Sequence, residues 1–176
     1  GDESNPEDDS QDCGSLAYIT GNGGGQAGSD DIDNGTTVLT SPVFDLTTYV
    51  DPYISFERWF FNEGGQGTPN DSIVVELTNG TQTAQLAFSS FNSPDLSTWA
   101  YREIRVTDLL PATAIMQMKI RAMDVQGGHI SEGGFDNFLV WDSIAPNNNS
   151  ISAVSRTRFL YEVFACVNPS MQLNKM

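Results

Sequence analysis

Residues 114–123 read AIMQMKIRAM. Met116, Met118 and Ile120 share one parity, and Gln117, Lys119 and Arg121 share the other. A repeat of two belongs to a β-strand with one buried face, whereas an amphipathic helix would space its apolar residues by three and four. The stretch is therefore read as a strand, with Met118 and Ile120 directed into a core.

The same reading extends in both directions. SLAYIT precedes a loop, GNGGGQAGSDDIDNG, too rich in glycine and aspartate for a regular element. TTVLTS and VFDL flank Pro42, which points to an edge or a bulge. PYISFERWFF is long and aromatic, SIVVEL runs into Asn79-Gly80, and TQTAQLAFSS returns from it. Asn-Gly between two strand-like runs is the strongest short hairpin signal in the chain. WAYREIRV and GFDNFLVW complete the series, and Asp108-Leu109-Leu110 before Pro111 suits a single helical turn. Eight or nine strands separated by turns, without a convincing helical period, predict an all-β fold, an antiparallel jelly-roll β-sandwich.

The chain has 176 residues, enough for one sizeable core. Its net charge is −15, and six of its 23 acidic residues fall in the first twelve positions, GDESNPEDDSQD. Residues 1–12 read as a disordered acidic leader. Residues 13–145 read as the sandwich, and residues 146–176 as an extension packing on the sandwich edge. The acidity disfavours nucleic acid and anionic membranes, and it suits hard cations such as calcium. No run is long and apolar enough for a membrane helix. An acidic tether suits a lipid-anchored surface protein. Cys13 and Cys166 are too far apart in sequence for a zinc motif, and a closing disulfide and two free thiols both remain open.

LTSPVFDL (39–46), RWFFN (58–62) with NDSIVVELTNG (70–80), and EGGFDNFLV (132–140) give the chain, over residues 14–142, its likeness to a family. It resembles the MAM-like jelly-roll modules of secreted bacterial proteins, a concanavalin-like or galactose-binding-like sandwich. The resemblance implies a non-catalytic module with a structural calcium near the first strands and the last strand. The family's final motif carries two acids before the apolar residue, and here the second position is Asn137.

Catalysis has little support in the residues. His129 is the only histidine, so the usual zinc site lacks a partner for it, and no G-x-S-x-G elbow is present. It reads as a loop histidine. GNGGG lacks the Lys-Ser/Thr ending and the following helix of a phosphate loop. Trp59, Trp99 and Trp141 are the candidate ligand-binding residues, since an exposed indole beside amide and acid groups can stack on a sugar ring. In a strand, Trp59 and Phe61 must face away from Phe60, which joins Ile54 and Phe56 in the core.

The crowded acids of SDDIDNG do not form a local EF-hand, because Ile32 occupies a ligand position and no closing Glu follows. The expected site is non-local. Asp136 shares parity with Phe138 and Val140, so it would face the core and need a partner or a metal. Asp31 and Asp33 could meet it there, with Asn34 and Thr36 adding oxygens around a calcium. The expected function is a monomeric, non-catalytic extracellular or cell-surface binding or adhesion module, calcium-stabilised, with a glycan or protein ligand. The alternatives are an accessory structural domain without its own ligand, and a jelly-roll hydrolase or lyase.

Overall fold

A computed structural model of the chain describes residues 4–10, 12, 14–21, 26–65, 67–125 and 128–143. The expected extension, 146–176, and both cysteines lie outside the described residues. Among the described residues eight strands occur, in the order β1 Tyr18–Ile19, β2 Gly35–Thr40, β3 Pro52–Glu63, β4 Ser72–Thr78, β5 Thr83–Ser90, β6 Ala100–Arg105, β7 Gln117–Asp124 and β8 Ile130–Asp142. The anticipated helical turn is 3-10, over Val106–Asp108, just N-terminal of Leu109 and Leu110. Among the described residues no helix is long and apolar enough to cross a membrane.

The strands form two four-stranded sheets, ordered β1-β8-β3-β6 and β2-β7-β4-β5, and every ladder is antiparallel. The chain passes from sheet to sheet so that the first and last strands pair, which is the jelly-roll arrangement of a β-sandwich. The two inner faces meet in one core. β3 sends in Ile54, Phe56 and Phe60, β4 sends Ile73, Val75 and Leu77, and β7 sends Met118, Ile120 and Ala122. The alternation of residues 114–123 therefore sets the facing of β7 as read from sequence.

The β4–β5 connection is longer than a two-residue hairpin. Asn79 is buried, and its Oδ1 accepts the backbone N–H groups of Thr81 and Gln82, so the side chain closes the turn. Gly80 follows with φ of 92°, a conformation that side chains strain.

One irregularity decides where an acid points. Ser55 pairs with Leu139, yet Glu57 pairs with Asp136, so β8 carries an extra residue there. Asn137 occupies the bulge with φ of 50°. Asparagine tolerates this left-handed conformation better than most residues. The bulge inverts parity within β8. Phe135 and Val140 face the core on either side of it, and Asp136 pairs with Glu57 on the outer face. The expectation that Asp136 faces the core with Phe138 and Val140 is corrected accordingly, because simple alternation stops at Asn137.

Candidate functional site

The outer face of the sheet β1-β8-β3-β6 gathers most of the chemistry. Register places its rows. Tyr53 lies between Arg105 and Trp141, Ser55 between Glu103 and Leu139, and Glu57 between Tyr101 and Asp136. Trp59 then lies beside Gly134, and Phe61 beside Glu132. Alternate residues of β3 thus form a lane from Tyr53 to Trp59, about 20 Å long at strand rise.

At one end, Tyr53 and Trp141 stack with ring centroids 4.6 Å apart and planes 20° apart. Both are half-buried. Arg105, nearly half exposed, donates from Nε to Asp51 Oδ1 at 2.5 Å, and Ser143 Oγ donates to Asp51 Oδ2. These two hydrogen bonds, Ser143 first, hold the Asp51 carboxyl below the ordinary carboxylate range. Tyr101, 52% exposed, donates its hydroxyl to Glu103 at 2.8 Å. An aromatic platform beside such polar groups is suited to a ligand with apolar ring faces and polar edges.

The other end is covered. Residues 4–10 of the acidic leader, expected to be disordered, cross it. Ser4 Oγ donates to Glu132 Oε2 at 2.9 Å, and Ser10 Oγ donates to Asp136 Oδ2 at 2.5 Å. Ser97 Oγ donates to the Ser4 carbonyl, and Trp99 Nε1 donates to the Asp8 carbonyl. Serine hydroxyls are weak signals in a sequence, so these fastenings were not legible there. Trp59 is on the outer face as expected, but it is only 1% exposed, with Trp99 edge-on at 6.5 Å. Of the three tryptophans, then, Trp141 stacks with Tyr53, while Trp59 and Trp99 lie at the end where the leader is fastened.

The acids also group differently from the expected set. Oxygens of Asp9, Asp12 and Asp136 lie within 4.8 Å of one another, the only such metal-capable group among the described residues. Burial, with Asp9 as a further cause, pushes the Asp136 carboxyl from 3.8 up to about 6. Asp9 Oδ2 is buried, and the Asp9 side chain meets the Asp136 carboxyl directly. Oxygens that all sit about 2.4 Å from one calcium cannot be more than about 4.8 Å apart. The three carboxylates fit that limit, and a cation would relieve their mutual repulsion. Asp9 and Asp12 were hidden from sequence reasoning because their segment has almost no apolar residue to suggest packing.

Asp31, Asp33, Asn34 and Thr36 do not join Asp136. The Asp31 Oδ2 accepts the Ser131 N–H at 3.2 Å, and the Ile32 N–H donates to the Ser131 carbonyl. Ser131 precedes Asp136 by five strand residues, roughly 16 Å. Asn34, with φ of 50°, donates its N–H to Asp124 Oδ2 at 2.7 Å. Asp33 is exposed, and Thr36 pairs with Met123 at the edge of the other sheet. Burial chiefly, then Asp33 and Asp124, raises the Asp31 carboxyl above its ordinary range, against the Ser131 hydrogen bond. Asp124 is the acid missed here. It is buried, and its Oδ1 has no hydrogen-bond partner among the described residues.

His129 and Arg58 are interior. His129, expected in an open loop, is 4% exposed, and its Nδ1 stands 3.8 Å from Asp71 Oδ2. Arg58 faces inward with Phe60 and bonds Asp95 Oδ2 at 2.7 Å.

No family model matches the chain, and no curated protein matches it. Among solved structures it is similar to TmCBM61 in complex with beta-1,4-galactotriose, at 13% sequence identity and a TM-score of 0.39. The match covers 74% of this chain and 72% of that one. The fold assignment rests on strand order and register, which make the chain an antiparallel β-sandwich.

Proposed function

We propose that this sandwich is a non-catalytic binding or adhesion module of the cell exterior, of the MAM-like type, which takes a carbohydrate on the outer face of β1-β8-β3-β6. The observation that carries the reading is the stacked Tyr53–Trp141 pair, half-buried on that face beside Arg105, Glu103 and Tyr101. Two rings stacked on each other spend one face each on the pair and leave outer ring faces and edges as apolar surface, and the flanking guanidinium, carboxylate and phenol offer hydrogen bonds at its rim. That combination suits a sugar, whose ring faces are apolar and whose edge is hydroxylated.

In this reading calcium is structural. Asp9, Asp12 and Asp136 would hold it, and it would supply charge neutralisation that fastens the leader to β8. Asp31, Asp33, Asn34 and Thr36 are no longer part of that ligand set.

A glycan array with the parent and Trp141→Ala tests the carbohydrate reading. The parent is expected to retain a glycan class that the variant loses, by roughly tenfold or more in affinity. Retention by neither protein, or equal retention by both, would overturn it. An accessory structural domain without a ligand would give the first of those results.

A further inference from the structure

The leader covers one end of the Tyr53–Trp59 lane, and the fit beneath it is incomplete. The described leader residues, 4–10 and 12, contribute no strand pairing. Ser4 and Ser10 are fastened at Glu132 and Asp136, on either side of Gly134, and Ser97 and Trp99 hold the same segment from the β5–β6 connection. Residues 4–10 read SNPEDDS, so the cover has little apolar surface with which to hold itself down.

Among the described residues, two buried polar atoms in this region have no hydrogen-bond partner: Trp59 Nε1 and Glu57 Oε2, on alternate residues of β3. A permanent cover would pair a buried donor and a buried acceptor, because leaving them unmet opposes closure. Asp9 also sets a second carboxylate against Asp136. Among the described residues the hydroxyl and carbonyl hydrogen bonds of the leader thus work against two unmet groups and the apposed carboxyls of Asp9 and Asp136.

We propose that the leader is a displaceable strap, and that Glu57 and Trp59 beneath it form a second carbohydrate-binding subsite, continuous with the Tyr53–Trp141 platform. A sugar hydroxyl can donate to Glu57 Oε2 while another oxygen accepts from Trp59 Nε1, with the indole as the apolar wall. The inference rests on the carbohydrate reading of the platform. Binding at the platform alone would occupy Tyr53 and Trp141, and a longer oligosaccharide would displace the strap and fill the lane.

The test uses the full chain in a chelator, so that no metal fastens the strap. Ser4→Ala with Ser10→Ala removes two hydroxyl fastenings without touching the lane. Three readouts are followed: acrylamide quenching of tryptophan fluorescence, the melting midpoint, and binding of the hexaoses of cellulose, xylan, mannan and β-galactan. Quenching is expected to rise roughly twofold as the strap opens, at an almost unchanged midpoint. Affinity for the bound hexaose is expected to rise roughly threefold as the competent fraction grows, and adding Glu57→Gln should remove that gain. Unchanged quenching, or a midpoint that falls with it, would make the leader an integral part of the fold and overturn the strap. Opening without a gain in affinity would overturn the subsite. A Trp141-dependent parent with no gain in the double variant sinks this inference alone. Failure of both proteins to bind any hexaose sinks it together with the platform.

Discussion

The Trp59 indole lies across Gly134 so closely that a Cβ at 134 would stand 2.0 Å from its Nε1. The two residues are cross-strand partners on β3 and β8. Glycine is required here by the approach of a ring, not by backbone conformation. Gly134→Ala must push out a large, buried side chain, and overpacking of this kind typically costs about 1–3 kcal/mol. Gly35→Ala is the control, since its nearest neighbour would be 3.9 Å away. Urea denaturation should show the loss in the first variant and little change in the second. Equal stability of the two would remove the close packing of Trp59 on β8.

Ile120 tests the facing of β7. It is 6% exposed and packs in the core with Met118 and Ala122. Ile120→Asp would bury an unpaired charge and should cost on the order of 3 kcal/mol or more. Lys119→Asp, one residue earlier and exposed, is the matched control, with an effect of a few tenths of a kcal/mol. Thermal melts that rank the two variants the other way would reverse the strand.

These contrasts mark what the sequence could convey. Alternation in β7 was legible because every residue from Gln117 to Asp124 keeps the pleat. The same argument failed in β8, where the extra residue at Asn137 turned Asp136 outward. The aromatic parity in β3 placed Trp59 correctly, but not the burial that goes with Trp99 edge-on and a leader hydrogen-bonded to Trp99 and Asp136. Polar packing of that kind leaves no hydrophobic period to read. His129 shows the converse. A polar residue between loop-like glycines was buried beside Asp71, a contact that no local pattern encodes.

Asp136 gives a pH dependence with a definite sign. Its carboxyl is raised from 3.8 to about 6, chiefly by burial and then by Asp9, so the folded state favours the protonated form. Its stabilising contribution is full below about pH 4 and is lost as pH rises through about 6. Such a rise corresponds to at most roughly 3 kcal/mol, reduced by solvent screening at this partly open site. Asp136→Asn cannot titrate. Measured in a chelator, the stability of the parent minus that of the variant should fall by up to this amount between pH 4 and pH 7. Denaturation curves at successive pH values check it, because acid effects elsewhere cancel in the difference. A difference that stays flat, or rises with pH, would remove the buried carboxyl pair.

Calcium should reverse that loss. Above about pH 6 Asp136 is ionised, and with Asp9 and Asp12 it places three carboxylates close enough to share one ion. A ligand that binds only the folded chain stabilises it by an amount set by its concentration over its dissociation constant. At a tenfold ratio this is about 1.4 kcal/mol, or a midpoint rise of roughly 3–6 °C for a domain near this size. The rise should shrink below pH 6 as protons compete for the same oxygens. It should vanish in Asp136→Asn and in Asp12→Asn, since either removes a charge from the group. It should persist in Asp33→Asn, whose exposed carboxylate belongs to the loop against Ser131 and Asp124. Melting each protein with calcium and then with a chelator separates these cases. A calcium response abolished by Asp33→Asn and kept by Asp136→Asn would move the ion to that loop. An unchanged parent midpoint, with no heat of binding at millimolar calcium, would leave the Asp9–Asp12–Asp136 group as a proton-sharing contact only.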